Sequence, residues 1–135
     1  MFYSFDIPIP ANTAEDNPEQ LVADLTYGVI THVELEFPPG CAGLAKVAIL
    51  HRRHQTWPTN IDKWFYTDGR IIAWDDYFEL LEPPFQLVIL GYNDDDTFEH
   101  TPIIRFEELY PTAAMAKYGV YEGVVSIKSI PVEVI

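Results

Sequence analysis

The sequence predicts an all-β fold, an antiparallel β-sandwich of the jelly-roll kind with extended N- and C-terminal arms. Three observations predict it. Short apolar runs rich in β-branched and aromatic residues recur at intervals of about 8 to 12 residues. Eleven prolines and seven glycines punctuate those runs. Only Glu107 to Gly119, centred on Ala113-Ala114-Met115-Ala116-Lys117, has the composition of a helix.

In chain order, Met1 to Ile9 alternates in the manner of a strand, but Pro8 and Pro10 remove ladder donors. Residues 1–10 are therefore expected as an arm or an edge strand. Leu21 to Tyr27, ending at Gly28, reads as a short strand. Val29, Thr31, Val33, Leu35 and Phe37 then share one face, with Ile30, His32, Glu34 and Glu36 on the other. Pro38-Pro39-Gly40 ends that strand, CAGL at 41–44 suggests a tight corner, and Ala45, Val47 and Ile49 open the next strand.

His51 to Asn60 is polar and aromatic, and Pro58 argues against a central strand there. Ile61 to Tyr66 suits a short strand or one helical turn. Asp68-Gly69 suggests a hairpin turn between Trp64-Phe65-Tyr66 and Arg70 to Trp74, with Tyr77 to Leu81 as a further strand. Phe85 to Tyr92 and Thr101 to Phe106 read as two strands joined in a hairpin around which the chain is organised. Val88 and Leu90 leave the first of these without a polar face, so it must lie inside a sheet or under a partner. The core predicted from these patterns is Val33, Leu35, Phe37, Val47, Ile49, Leu87, Ile89, Ile104 and Phe106.

The sandwich domain is assigned to residues 1–106 and a C-terminal extension to 107–135, a helical or irregular linker followed by a terminal strand. That terminal segment is rich in β-branched residues. Val124, Ile127, Ile130, Val132 and Val134 are too apolar for a free end, and an extended segment of this kind completes a sheet by strand addition. Docking on the same subunit and exchange onto a neighbour both remain open. Exchange would make the chain a homo-oligomer held by assembly arms.

At 135 residues the chain fits one domain with a sizeable core. A net charge of −13, from 8 Lys and Arg against 21 Asp and Glu, repels phosphate backbones, so direct nucleic-acid binding is not expected. The lone Cys41 excludes an intramolecular disulfide, and no signal-peptide pattern precedes Pro10, which points to folding in a cytoplasm. No apolar segment reaches the roughly 20 residues a membrane helix needs, and no membrane partner is expected.

No residue set makes a convincing catalytic or cofactor site, so neither enzyme activity nor a cofactor or metal is expected. Asn93 to Glu99 concentrates hard oxygen ligands, but it lacks the glycine that a calcium loop requires and reads as a solvated tip tolerant of replacing Asp94, Asp95 and Asp96. His51 and His54 would point to opposite faces of a strand, which disfavours zinc. Cys41 has no cation nearby to activate it for attack with His54. Glu34, Glu36, Glu79 and Glu82 include no pair whose separation the sequence fixes. Trp57, Trp64, Tyr66 and Trp74 fall in one region and could stack on sugar rings, which makes a carbohydrate- or receptor-binding module the alternative function.

IPANT at 9–13, PPGCAGL at 38–44, HQTWPTN at 54–60, EPPFQL at 82–87 and YNDDDTFEHT at 92–101 together resemble a small β-sandwich protein recurring among bacteriophage structural genes. The order and spacing of these turn signatures carry the likeness, which spans about residues 7–106. The resemblance implies a non-enzymatic virion protein, a capsid, decoration or accessory component made in the host cytoplasm. Its partners would be other virion proteins, the major capsid protein first among them.

Overall fold

The computed structural model of the chain describes residues 1–121 and 124–125. Eight strands make two antiparallel sheets of four. They are β1 (Phe2–Asp6), β2 (Glu19–Asp24), β3 (Gly28–Phe37), β4 (Ala45–His51), β5 (His54–Trp57), β6 (Arg70–Leu80), β7 (Gln86–Asn93) and β8 (Ile103–Leu109). One sheet runs β1-β8-β3-β6 and is called the β3 sheet below; the other, the β7 sheet, runs β2-β7-β4-β5. Within these two sheets only β4 and β5 are consecutive neighbours, and every other connection among the eight strands crosses from one sheet to the other. This winding is an all-β sandwich with the strand order of a jelly roll.

All nine predicted core residues are fully buried. They come from both inner faces, β3 and β8 on one side and β4 and β7 on the other.

The connectivity differs from the sequence reading in three places. Phe85 to Phe106 does hold two strands, but β7 pairs with β2 and β4 whereas β8 pairs with β1 and β3, so the loop between them bridges the sheets instead of closing a hairpin. Asp68-Gly69 closes no hairpin either: Phe65 bridges to Val47 in the β7 sheet, and the chain then enters β6 in the β3 sheet. The separate strands expected at Arg70 to Trp74 and Tyr77 to Leu81 are one strand, β6, paired along most of β3.

On β3 the register shifts between Ile30 and His32. The extra residue, Thr31, reverses the alternation, so Ile30 joins Val33, Leu35 and Phe37 in the core while Val29, expected on their face, does not. β1 is an edge strand, and the chain beyond it stays paired, with Ile7 N–H donating to Pro102 O and Ile9 N–H to His100 O. Pro8 and Pro10 alternate with those donors, where no ladder bond is lost.

β8 continues to Leu109, past the boundary expected at residue 106. A helix, α1 (Pro111–Tyr118), follows; Pro111 occupies its first turn, and Gly119 ends it at φ 72°. α1 lies against β3 from outside, with Ala114 buried and Tyr118 donating to Thr31 O. Beyond it, β9 (Val120–Tyr121) and β10 (Val124–Val125) form a two-stranded ladder that pairs Val124 with Tyr121. Ile127, Ile130, Val132 and Val134 of the expected assembly arm lie outside the described residues. No helix among the described residues is long and apolar enough to cross a membrane.

Candidate functional site

The four aromatic residues grouped from sequence divide between the interior and one outer face. Trp57, from the edge strand β5, is 4% exposed, donates its indole N–H to Asp76 Oδ2 at 2.8 Å, and packs edge-on against Trp74 and Phe78. Trp74 in turn stacks on Phe65. These two rings close the core and leave Trp57 no face for a ligand. Trp64 and Tyr66 flank the bridge residue Phe65 and point away from the core. Trp64 meets Tyr92 edge-on and donates to Glu15, while Lys46 lies 4.4 Å over the ring of Tyr66, which is 57% exposed. A cation beside two outward rings is a small patch capable of stacking contacts.

That patch continues into the outer face of the β7 sheet. Register places Val22, Val88 and Leu50 in one row across β2, β7 and β4, and Gln20, Leu90 and Ala48 in the next. Val22 is 48% exposed, and Gln20, Leu50, Arg53, Val88 and Leu90 line a shallow pocket of about 400 Å³. Half-solvated antiparallel sheets usually show polar side chains here. The apolar Val88 and Leu90 in the sequence of β7 already signalled this face; the outward turn of Val22 and Leu50 did not show without the register.

The outer face of the β3 sheet is polar by contrast. His32 Nδ1 lies 2.7 Å from Asp75 Oδ1 and Nε2 lies 3.1 Å from Glu34 Oε2, and these contacts, that to Asp75 foremost, raise the imidazole pKa above its ordinary value. Arg105 continues the ladder to Glu36 at 2.8 Å and Glu34 at 3.7 Å. Glu107 accepts from the Thr31 hydroxyl and Lys117, which hold its carboxyl below the usual range. Glu34 and Glu36 are thus partners of Arg105 and His32 in a run of ion pairs.

His51 and His54 are not on one strand: they face each other across a two-residue turn whose Arg52 and Arg53 both have positive φ, 52° and 70°. His51 packs on Phe78, and burial with the nearby Arg52 lowers its pKa. Its ring, Glu79 and Glu82 line a pocket of about 310 Å³. Cys41 is buried, and burial pushes its thiol pKa up, away from a reactive thiolate.

The acidic loop is organised by its own side chains. Asn93, fully buried, donates to Ile9 O and Phe98 O and accepts from the Asp95 N–H at 2.9 Å. Asp95 accepts from the N–H groups of Thr97 and Phe98 and lies 2.8 Å from His100 Nε2; the Thr97 bond foremost and His100 next hold its carboxyl below the usual range. Asp95, one of the three aspartates expected to be replaceable, is thus held in this network through an Asx turn that the sequence alone did not reveal. Among the described residues no group of three or more His, Cys, Asp or Glu is placed to hold a metal ion.

No protein-family model matches the chain, and no curated protein matches it.

Proposed function

We propose that this chain is a non-enzymatic structural protein of a bacteriophage virion, a capsid or decoration component that assembles through its sheet faces with other virion proteins, the major capsid protein first among them. The observation that carries the reading is an eight-stranded jelly roll whose β7 sheet turns Val22, Leu50, Val88 and Leu90 outward. Jelly rolls serve in viral capsids and in lectins alike, and fold alone does not choose between them. The phage-like turn signatures and an apolar sheet face support assembly. The test is mass spectrometry and immunogold labelling of purified particles from a phage encoding this chain. Absence of the protein from complete particles rejects the reading.

The second reading, carbohydrate or receptor binding, rests on Trp64 and Tyr66, with Lys46 over the exposed Tyr66 ring. A glycan-array signal lost in Tyr66→Ala, with folding retained, would favour it. Trp57→Ala cannot serve as the test, because Trp57 is part of the core.

A further inference from the structure

We propose that the outer face of the β7 sheet is a self-association surface on which a second copy of this chain packs face to face, about a two-fold axis running along β7. This deepens the assembly reading above and rests on it for its biological role. Such an interface is isologous, so the face must complement itself.

The register supplies that complementarity. A two-fold along the central strand carries β2 of one copy over β4 of the other. Val22, Val88 and Leu50 share a row, so Val22 of one copy meets Leu50 of the second, and Val88 meets its own counterpart. Val22 stands 48% exposed, and the shallow pocket between Leu50, Val88, Leu90 and Arg53 lies where a protruding valine would enter.

Charge follows the same operator. Beyond Val22 the next outward residue of β2 is Asp24, and beyond Leu50 the chain enters the Arg52-Arg53 turn. The axis brings Asp24 of each copy to that turn of the other. Arg52 is already held by the carbonyls of Glu82 and Pro83, whereas Arg53 makes no ion pair among the described residues. Both arginines occupy positive φ, where hairpin turns ordinarily carry Asn-Gly, which sets a cation on the rim despite the backbone cost. Two copies of net charge −13 repel over most of their surface, and this face offers them opposite charges around an apolar centre. The outer face of the β3 sheet differs in carrying an ion-pair ladder and in being partly covered by α1.

The experiment is sedimentation equilibrium of the full chain with three variants. The parent should dimerise, and Val88→Glu should weaken the dimer by about thirtyfold or more, as loss of a central contact does. Asp24→Arg and Arg53→Asp should each weaken it by about tenfold through like-charge contact, and the double variant should recover most of the loss. A parent that stays monomeric overturns the proposal, as does a dimer indifferent to Val88→Glu. So does a monomer whose melting temperature falls in Val88→Glu, which would place another part of the same chain on the face. A monomer still found in purified particles would reject this surface and leave the assembly reading standing.

Discussion

Thr26 donates both its backbone N–H, at 3.1 Å, and its hydroxyl, at 3.2 Å, to one carboxyl oxygen of Glu108. Glu108 points inward from β8 in phase with Ile104 and Phe106, is fully buried, and its second oxygen has no partner among the described residues. Gly28 packs so closely that an added Cβ would lie 2.7 Å from Leu109 O and 3.0 Å from the Glu108 side chain. Burial raises the Glu108 pKa, against the Thr26 bonds and the nearby Met1 amino group.

The native state therefore holds a proton that the unfolded chain releases once pH passes 4.5, the ordinary glutamate value. Over the window from there to the raised native value, stability falls as pH rises, and the loss persists at neutral pH. Glu108→Gln should remove that falling limb, and urea unfolding at acid and neutral pH checks it. Glu108→Ala should also remove the falling limb, but below pH 4.5 it should cost about 1–3 kcal/mol, because it takes away the acceptor of both Thr26 donors and a fully buried side chain.

Asp95 works with the opposite sign. Its pKa is lowered in the native state, so its contribution is present above 3.8 and is lost as pH falls through the depressed value. Asp95→Ala should lower the melting temperature clearly near neutral pH and lose that effect in strong acid. Asp94→Asn, on an exposed neighbour, should leave the melting curve nearly where it was.

Gly91 is required by a close approach. A Cβ there would meet Ile9 Cδ1 at 2.5 Å and Cγ1 at 2.9 Å. Gly91→Ala should cost about 1–3 kcal/mol by overpacking, and Ile9→Val, which removes the nearer atom, should recover part of it in the double variant. Denaturant midpoints of the four proteins form the cycle that decides this.

Trp57 and Tyr66 should separate core from surface. Trp57→Ala is expected to cost about 3–5 kcal/mol, the loss typical of a buried aromatic. Tyr66→Ala should cost less than about 1 kcal/mol, since it removes an exposed ring and one cation contact. Equal losses would contradict the burial difference between them.

Period-two patterning identified the interior well: Val33, Leu35, Phe37, Ile104 and Phe106 are buried as their alternation demands. The same pattern carries no information on which sheet a strand joins, so β7 and β8 looked like a hairpin though they face each other across the core. It also cannot see a bulge, and Thr31 turned Val29 away from the face assigned to it. The aromatic group failed as a unit for a related reason. Composition placed Trp57 beside Trp64 and Tyr66, but the chain between them leaves β5 and returns to bridge β4, so Trp57 points inward and its former companions outward.

Pairing the first strand of the sandwich with its eighth has a further consequence for how the molecule forms. Among the described residues β1 pairs with β8 alone, and the bond from the Met1 amino group to Glu108 O spans 107 residues. On a ribosome, β1 emerges first and waits for almost all of the sandwich to be synthesised before its partner exists. Such non-local closure places the chain among slow folders, on a scale of roughly milliseconds to seconds. A ribosome stalled before residue 103 would hold β3 and β6 with the whole β8 side of their sheet unpaired, a nascent species that invites chaperone capture.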